Sequence, residues 1–161
     1  MEELLQHFRK AEKISTEVIE FSKTLIKLDT KILDIAETIE NKIRELGGKP
    51  AWPVNISIND IAAHYTPEIN DPIALKEGDL VKVDIGVQVN GCPWDRAFTV
   101  CIGKSSHPLI DASTKALEEA LKNNPDLIVA VTGRLPKDKG KKLEVPNVKY
   151  FENFGAAFDP I

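Results

Sequence analysis

The chain has 161 residues, 42% of them hydrophobic and 29% charged, with a net charge of −4. That size suits one domain with a real core, and the acidic balance removes the electrostatic case for nucleic acid as a partner. No apolar run approaches the roughly 20 residues needed to cross a bilayer, and the charged, amphipathic start MEELLQHFRKAEKI is unlike a secretory signal. Cys92 and Cys101 argue against a disulfide framework and for free thiols in a reduced, cytoplasmic setting. Plentiful Ile and Lys fit a thermophile.

Apolar residues fall at helical spacing from Glu2 to about Phe21, through Leu4, Leu5, Phe8, Ala11, Ile14 and Val18. A second helix follows, with Asp29 or Thr30 as its N-cap. Its buried stripe is Ile32, Leu33, Ile35, Ala36, Ile39, Ile43 and Leu46, and Gly47-Gly48 ends it. Pro50 and Pro53 keep the next stretch extended. Asn55 to Asn59 alternates like a strand, and Ala62 to Pro72 is a loop that contains His64. Leu75 to Asp79 turns into a strand over Leu80 to Val87, and a return strand runs from about Asp95 to Ile102. Leu109 to Leu121 is a helix. The order α-α-β-β-β-α predicts an α+β unit with helices on one face of an antiparallel sheet. Beyond Asn123, Asp126 to Thr132 reads as a buried strand, Gly133 to Lys142 as a Lys-rich loop and Val145 to Phe151 as a short strand.

Asp84 and Asp95 are the candidate chemical centre. Asn90-Gly91 between them is a strong hairpin signal, because both central positions of the turn require φ > 0. A hairpin brings the two carboxylates onto facing strands, each in an otherwise apolar run. Two such charges repel unless something positive sits between them, and a divalent metal is the usual answer.

Three segments resemble the type-2 methionine aminopeptidases, archaeal ones in particular: KPAWPVNISINDIAAHYTPE, KEGDLVKVDIGVQVNG, and DRAFTV followed by PLIDASTKALEEAL. The similarity runs from about Ala11 to Leu121. It implies the pita-bread fold, two pseudo-symmetric α+β halves around a dinuclear metal site, and removal of the initiator methionine from a peptide N-terminus. By this resemblance Asp84, in VDIG, is the first aspartate ligand and Asp95 is the bridging aspartate. His64, in AAHYTP, lines the substrate pocket near the scissile bond. Oxygen donors of this kind suit Mn²⁺, Co²⁺ or Fe²⁺, and two such ions activate water and stabilise an oxyanion.

The departures point elsewhere. The family's other ligands, a histidine and two glutamates, come from a second half, and after Leu121 this sequence offers only Glu144 and Glu152 and no histidine. Arg96 stands where a small polar residue is usual, and it is expected to pair with a carboxylate in place of the metal's charge. Trp94 is either an exposed interface anchor or a cover for core left bare by a missing half. Pro93 implies an edge strand or a bulge. The expectation is a half pita-bread over residues 1–122 joined to a foreign or rearranged segment, 123–161: an engineered or truncated chimera without a complete metal site. Two alternatives stand beside it. One is an active enzyme completed by dimerisation or by Glu144 and Glu152; the other is a binding module whose bared half-fold face favours self-association.

Overall fold

The computed structural model describes residues 2–123, 128–130 and 148–150. The chain divides into two units, residues 1–110 and 111–161. The first is built from helices α1 (Glu2–Leu25) and α2 (Ile32–Glu45) and strands β1 (Lys49–Pro50), β2 (Asn55–Ile58), β3 (Leu80–Val89) and β4 (Cys92–Cys101). β3 is the centre of the sheet. β1 and β2 pair with it end to end along one side, Pro50 opposite Val87 and Asn55 opposite Asp84. β4 pairs antiparallel along the whole of its other side, from Leu80 opposite Cys101 to Val89 opposite Cys92.

Alternation along β3 decides what each face does. Val81, Val83, Ile85, Val87 and Val89 are buried against the helices. From α1 come Ala11, Ile14, Val18 and Ile19, and from α2 come Ile32, Ile35, Ile39 and Ile43, all in one apolar cluster. Each such Ile or Val contributes about 1.5–3 kcal/mol by leaving water. The other face carries Leu80, Lys82, Asp84, Gly86 and Gln88, and neither α1 nor α2 covers it.

The Asn90-Gly91 turn is as the sequence predicts, with φ of 49° and 80°. Its strands are longer than expected, because β4 starts at Cys92 rather than Asp95. Pro93 lies inside the pairing, opposite Gln88. Cys92 flanks the tight turn as a hydrogen-bonded partner of Val89, so the next residue's backbone nitrogen points away from β3, where a missing N–H is tolerated. The N-cap expectation at Asp29 or Thr30 gives way to Lys31, which lends no side-chain cap. Residues 29–31 instead pair with 73–75: Ile32 N donates to Ile73 O at 3.0 Å and Leu75 N to Thr30 O at 3.0 Å. Backbone carbonyls thus do the work of a capping side chain.

α3 (Pro108–Asn123) opens on a proline, as helices favour. The imidazole Nδ1 of His107 accepts from Leu109 N at 3.2 Å. In the second unit β5 (Ile128–Ala130) and β6 (Val148–Tyr150) pair in parallel. These described residues fall within the strands expected over Asp126 to Thr132 and Val145 to Phe151. The Lys-rich stretch at 133–142, Glu144 and Glu152 lie outside the described residues.

Candidate metal centre

The hairpin sets the geometry of the two aspartates. Asp84 lies opposite Ala97, and Asp95 opposite Gly86. The pair therefore shares one sheet face as diagonal neighbours, about 7–8 Å apart along the backbone. That is close enough for the side chains to meet. Burial of the Asp95 carboxyl, the charge of Asp84 and a side-chain hydrogen bond between the two hold Asp95 above the usual carboxylate range. Asp95 is exposed as a residue, so solvent screens much of that effect. Asp84 is half-buried, and its Oδ1 is a buried oxygen without a hydrogen-bond partner. Leaving such an atom unsatisfied costs about 1–3 kcal/mol, and more when it is charged. An orphaned anionic oxygen beside a second carboxylate is a donor set for a hard divalent cation.

Around the pair the face is specific. Residues 51–54 link β1 to β2, and Ala51 N donates to Gly86 O at 2.8 Å. Trp52 then lies over Gly86: a Cβ placed on Gly86 would sit 2.5 Å from the indole. Gly86 is thus the one residue type that lets an aromatic wall approach beside both aspartates. Asn55, opposite Asp84, donates through Nδ2 to Pro53 O at 3.1 Å and to Thr66 Oγ1 at 2.8 Å. Lys82 is on the same face but reaches away, its Nζ donating to Asn59 O at 2.8 Å. Burial holds its pKa below the ordinary lysine value against the opposing charge of Asp60.

The structure brings Asp84 and Asp95 together and leaves Arg96 out. Neighbouring strand residues point to opposite faces, so Arg96 faces the helices and its Nε donates to Ser15 Oγ at 3.1 Å. The expected pairing of Arg96 with a carboxylate is corrected accordingly. Trp94 also faces the helices, partly buried against the apolar cluster, and is no exposed anchor. His64 is exposed in the loop after β2, at φ 67°. Cys92 and Cys101 are free and buried, at opposite ends of β4. Trp52 and Asn55 escaped the sequence reading. Their signal was an aromatic between two prolines and an asparagine at the head of an alternating strand, and only the register joins them to Asp84.

Residues 6–127 match the model of metallopeptidase family M24. The chain belongs to that family. It is 46% identical over 127 residues to a methionine aminopeptidase of Methanocaldococcus jannaschii, covering 78% of this chain and 43% of the relative. It is 52% identical over 113 residues to that of Thermococcus onnurineus, covering 70% and 38%. This M24 chain therefore spans less than half the length of both relatives. Its fold is similar to a crystal structure of methionine aminopeptidase from Thermotoga maritima, with TM-score 0.68 and 23% identity over 76% of this chain and 53% of that one. It is also similar to a prolidase from Pyrococcus horikoshii, with TM-score 0.66 and 21% identity over 83% and 38%. The α+β fold and the archaeal methionine aminopeptidase resemblance both stand. Among the described residues, no helix is long and apolar enough to cross a membrane. Among the same residues, no group of three or more His, Cys, Asp or Glu could hold a metal ion.

Proposed function

We infer that this chain carries the two-aspartate part of a two-metal aminopeptidase centre that acts on a peptide N-terminus, removing methionine. The buried, partnerless Oδ1 of Asp84 beside Asp95 is the observation that carries this reading. Asp84 and Asp95 would hold the metal, with Mn²⁺, Co²⁺ and Fe²⁺ the candidates. When bound, a pair of such ions supplies Lewis acidity and a more acidic water. The rest falls to side chains. The Trp52 indole walls the face and keeps water from one flank of the carboxylates, while the imidazole of His64 serves the carbonyl of a bound N-terminal residue.

Two carboxylates hold a transition metal weakly, so the remaining donors come from outside the described residues. In this reading the chain by itself does not turn over substrate. Calorimetric titration of the full chain with Mn²⁺, alongside a methionyl-peptide assay, tests the proposal. Weak Mn²⁺ uptake that is lost in Asp84→Asn and Asp95→Asn, without turnover, is expected. No uptake at all sinks the metal reading. Turnover that vanishes in Asp95→Ala would instead establish a centre completed by a second copy or by Glu144 and Glu152.

A further inference from the structure

His64 sits in the left-handed region, at φ 67°. For a residue with a side chain that conformation costs on the order of 1–3 kcal/mol and persists only where the surroundings enforce it. The contacts that tie this backbone to β2 lie on the residues that follow. The backbone of Tyr65 is tied to β2 at both ends: Tyr65 N donates to Ser57 Oγ at 3.2 Å, and Ile56 N donates to Tyr65 O at 2.8 Å. The Tyr65 ring packs against the apolar cluster, and its hydroxyl donates to Asp71 Oδ2 at 2.9 Å. Asp71, itself 5% exposed, is fixed by Ile73 N, which donates to its Oδ1 at 2.9 Å. Thr66 is held by Asn55.

These anchors have a direction. Ser57 lies opposite Lys82 and Asn55 opposite Asp84, so both belong to the sheet face that carries the aspartates. Ser57 is 1% exposed although no helix covers its face, because the loop itself lies over it. The chain from His64 to Thr66 is therefore stapled to β2 by three hydrogen bonds, two of them made by the carboxylate-side residues Asn55 and Ser57, and a fourth ties Tyr65 to Asp71.

We propose that Tyr65 and Ser57 are positioning residues that hold the strained His64 backbone in place on the carboxylate face. The use His64 makes of that position rests on the reading given above; the clamp itself does not. Ser57 supplies the acceptor, and Tyr65 links the loop to a buried carboxylate on the far side. The two act through His64 and touch no substrate.

The test uses the full chain as Ser57→Ala and Tyr65→Phe. Amide hydrogen exchange is followed at residues 64–66 and in the β3–β4 hairpin, and the His64 ring is followed by NMR. Each variant removes one hydrogen bond of the clamp. Exchange at residues 64–66 is expected to accelerate about five- to tenfold, and the single His64 ring signal to broaden or split, with the hairpin amides unchanged. Ser57→Thr keeps the acceptor and is expected to restore the parent behaviour. Unchanged exchange and an unchanged His64 signal in both variants would overturn the proposal. So would equal acceleration in the hairpin, which marks plain loss of stability. Mn²⁺ titration of the parent runs in parallel: absent uptake defeats the two-carboxylate reading and leaves the clamp result standing.

Discussion

The two faces of the β3–β4 hairpin are made from alternate residues of the same twenty, yet they obey different rules. Toward the helices, Val81, Val83, Ile85 and Val87 are 0% exposed and meet Phe98, Val100 and Trp94 from β4. The apolar groups there are satisfied by packing, and Arg96 by its bond to Ser15. The opposite face carries a partnerless carboxylate oxygen, a carboxyl held above its ordinary range, and a glycine under an indole. Each is a local cost with no local return. Costs gathered on one face of a well-packed sheet are what a site looks like when its ligand is part of the design.

The sharpest way to break this comparison is to exchange the consequences of mutation between faces. Ile85→Ala, on the helix side, should destabilise by about 2–5 kcal/mol through lost transfer energy and a cavity, read as a lower midpoint in denaturant. A loss below about 1 kcal/mol would mean that this face is not the core. Gly86→Ala, the next residue, faces the other way and fails for another reason. Its methyl would meet Trp52 at 2.5 Å, so the indole must move, at a cost of about 1–3 kcal/mol. Trp52→Ala in the same chain should recover most of that loss. A double-mutant cycle with no coupling between the two would remove Trp52 from its place over the strand.

The carboxylates should behave with the opposite sign. Asp95 in the folded chain lies above its ordinary value of 3.8, chiefly from burial and then from the Asp84 charge. A raised folded value means that its contribution to stability is full below 3.8 and is lost as pH rises through the raised value. At neutral pH without metal the pair is a liability. Asp95→Asn should therefore stabilise the metal-free protein, by a few tenths to about 1 kcal/mol. It should also flatten the fall in stability with rising pH and abolish stabilisation by added Mn²⁺. Thermal melts from pH 4 to 8, with and without Mn²⁺, measure all three. Destabilisation by Asp95→Asn in the absence of metal would show that the carboxylate is structural.

What sequence could disclose follows from the range of the interactions. Asn90-Gly91 fixes its own turn through φ, and the β3 alternation fixes its own burial, so the hairpin and both aspartates were legible. Lys31 as the helix cap was not, because its role depends on residues 73–75, brought there by the fold. Trp52 was hidden for the same reason: its place over Gly86 exists only once β1 and β2 line up along β3. Arg96 is a different case. Its neighbour Asp95 already assigned it to the far face by strand parity, so the error lay in weighing charge before geometry.

Arg96 also gives the smallest and most discriminating expectation. If its guanidinium stood in for a metal, Arg96→Met would raise the cost of the carboxylate pair and alter Mn²⁺ binding. In the structure its Nε meets a serine hydroxyl on α1. Ser15 Oγ keeps its own bond to Glu12 O at 2.7 Å whether or not Arg96 is present. Methionine retains an apolar stem of similar reach against the helix. Nothing buried is orphaned, so stability should change by no more than about 0.5 kcal/mol, and the Mn²⁺ titration should superimpose on that of the parent. A clear shift in that titration would mean that charge crosses the sheet to the aspartates, and the separation of the two faces would fail at the position where it is easiest to test.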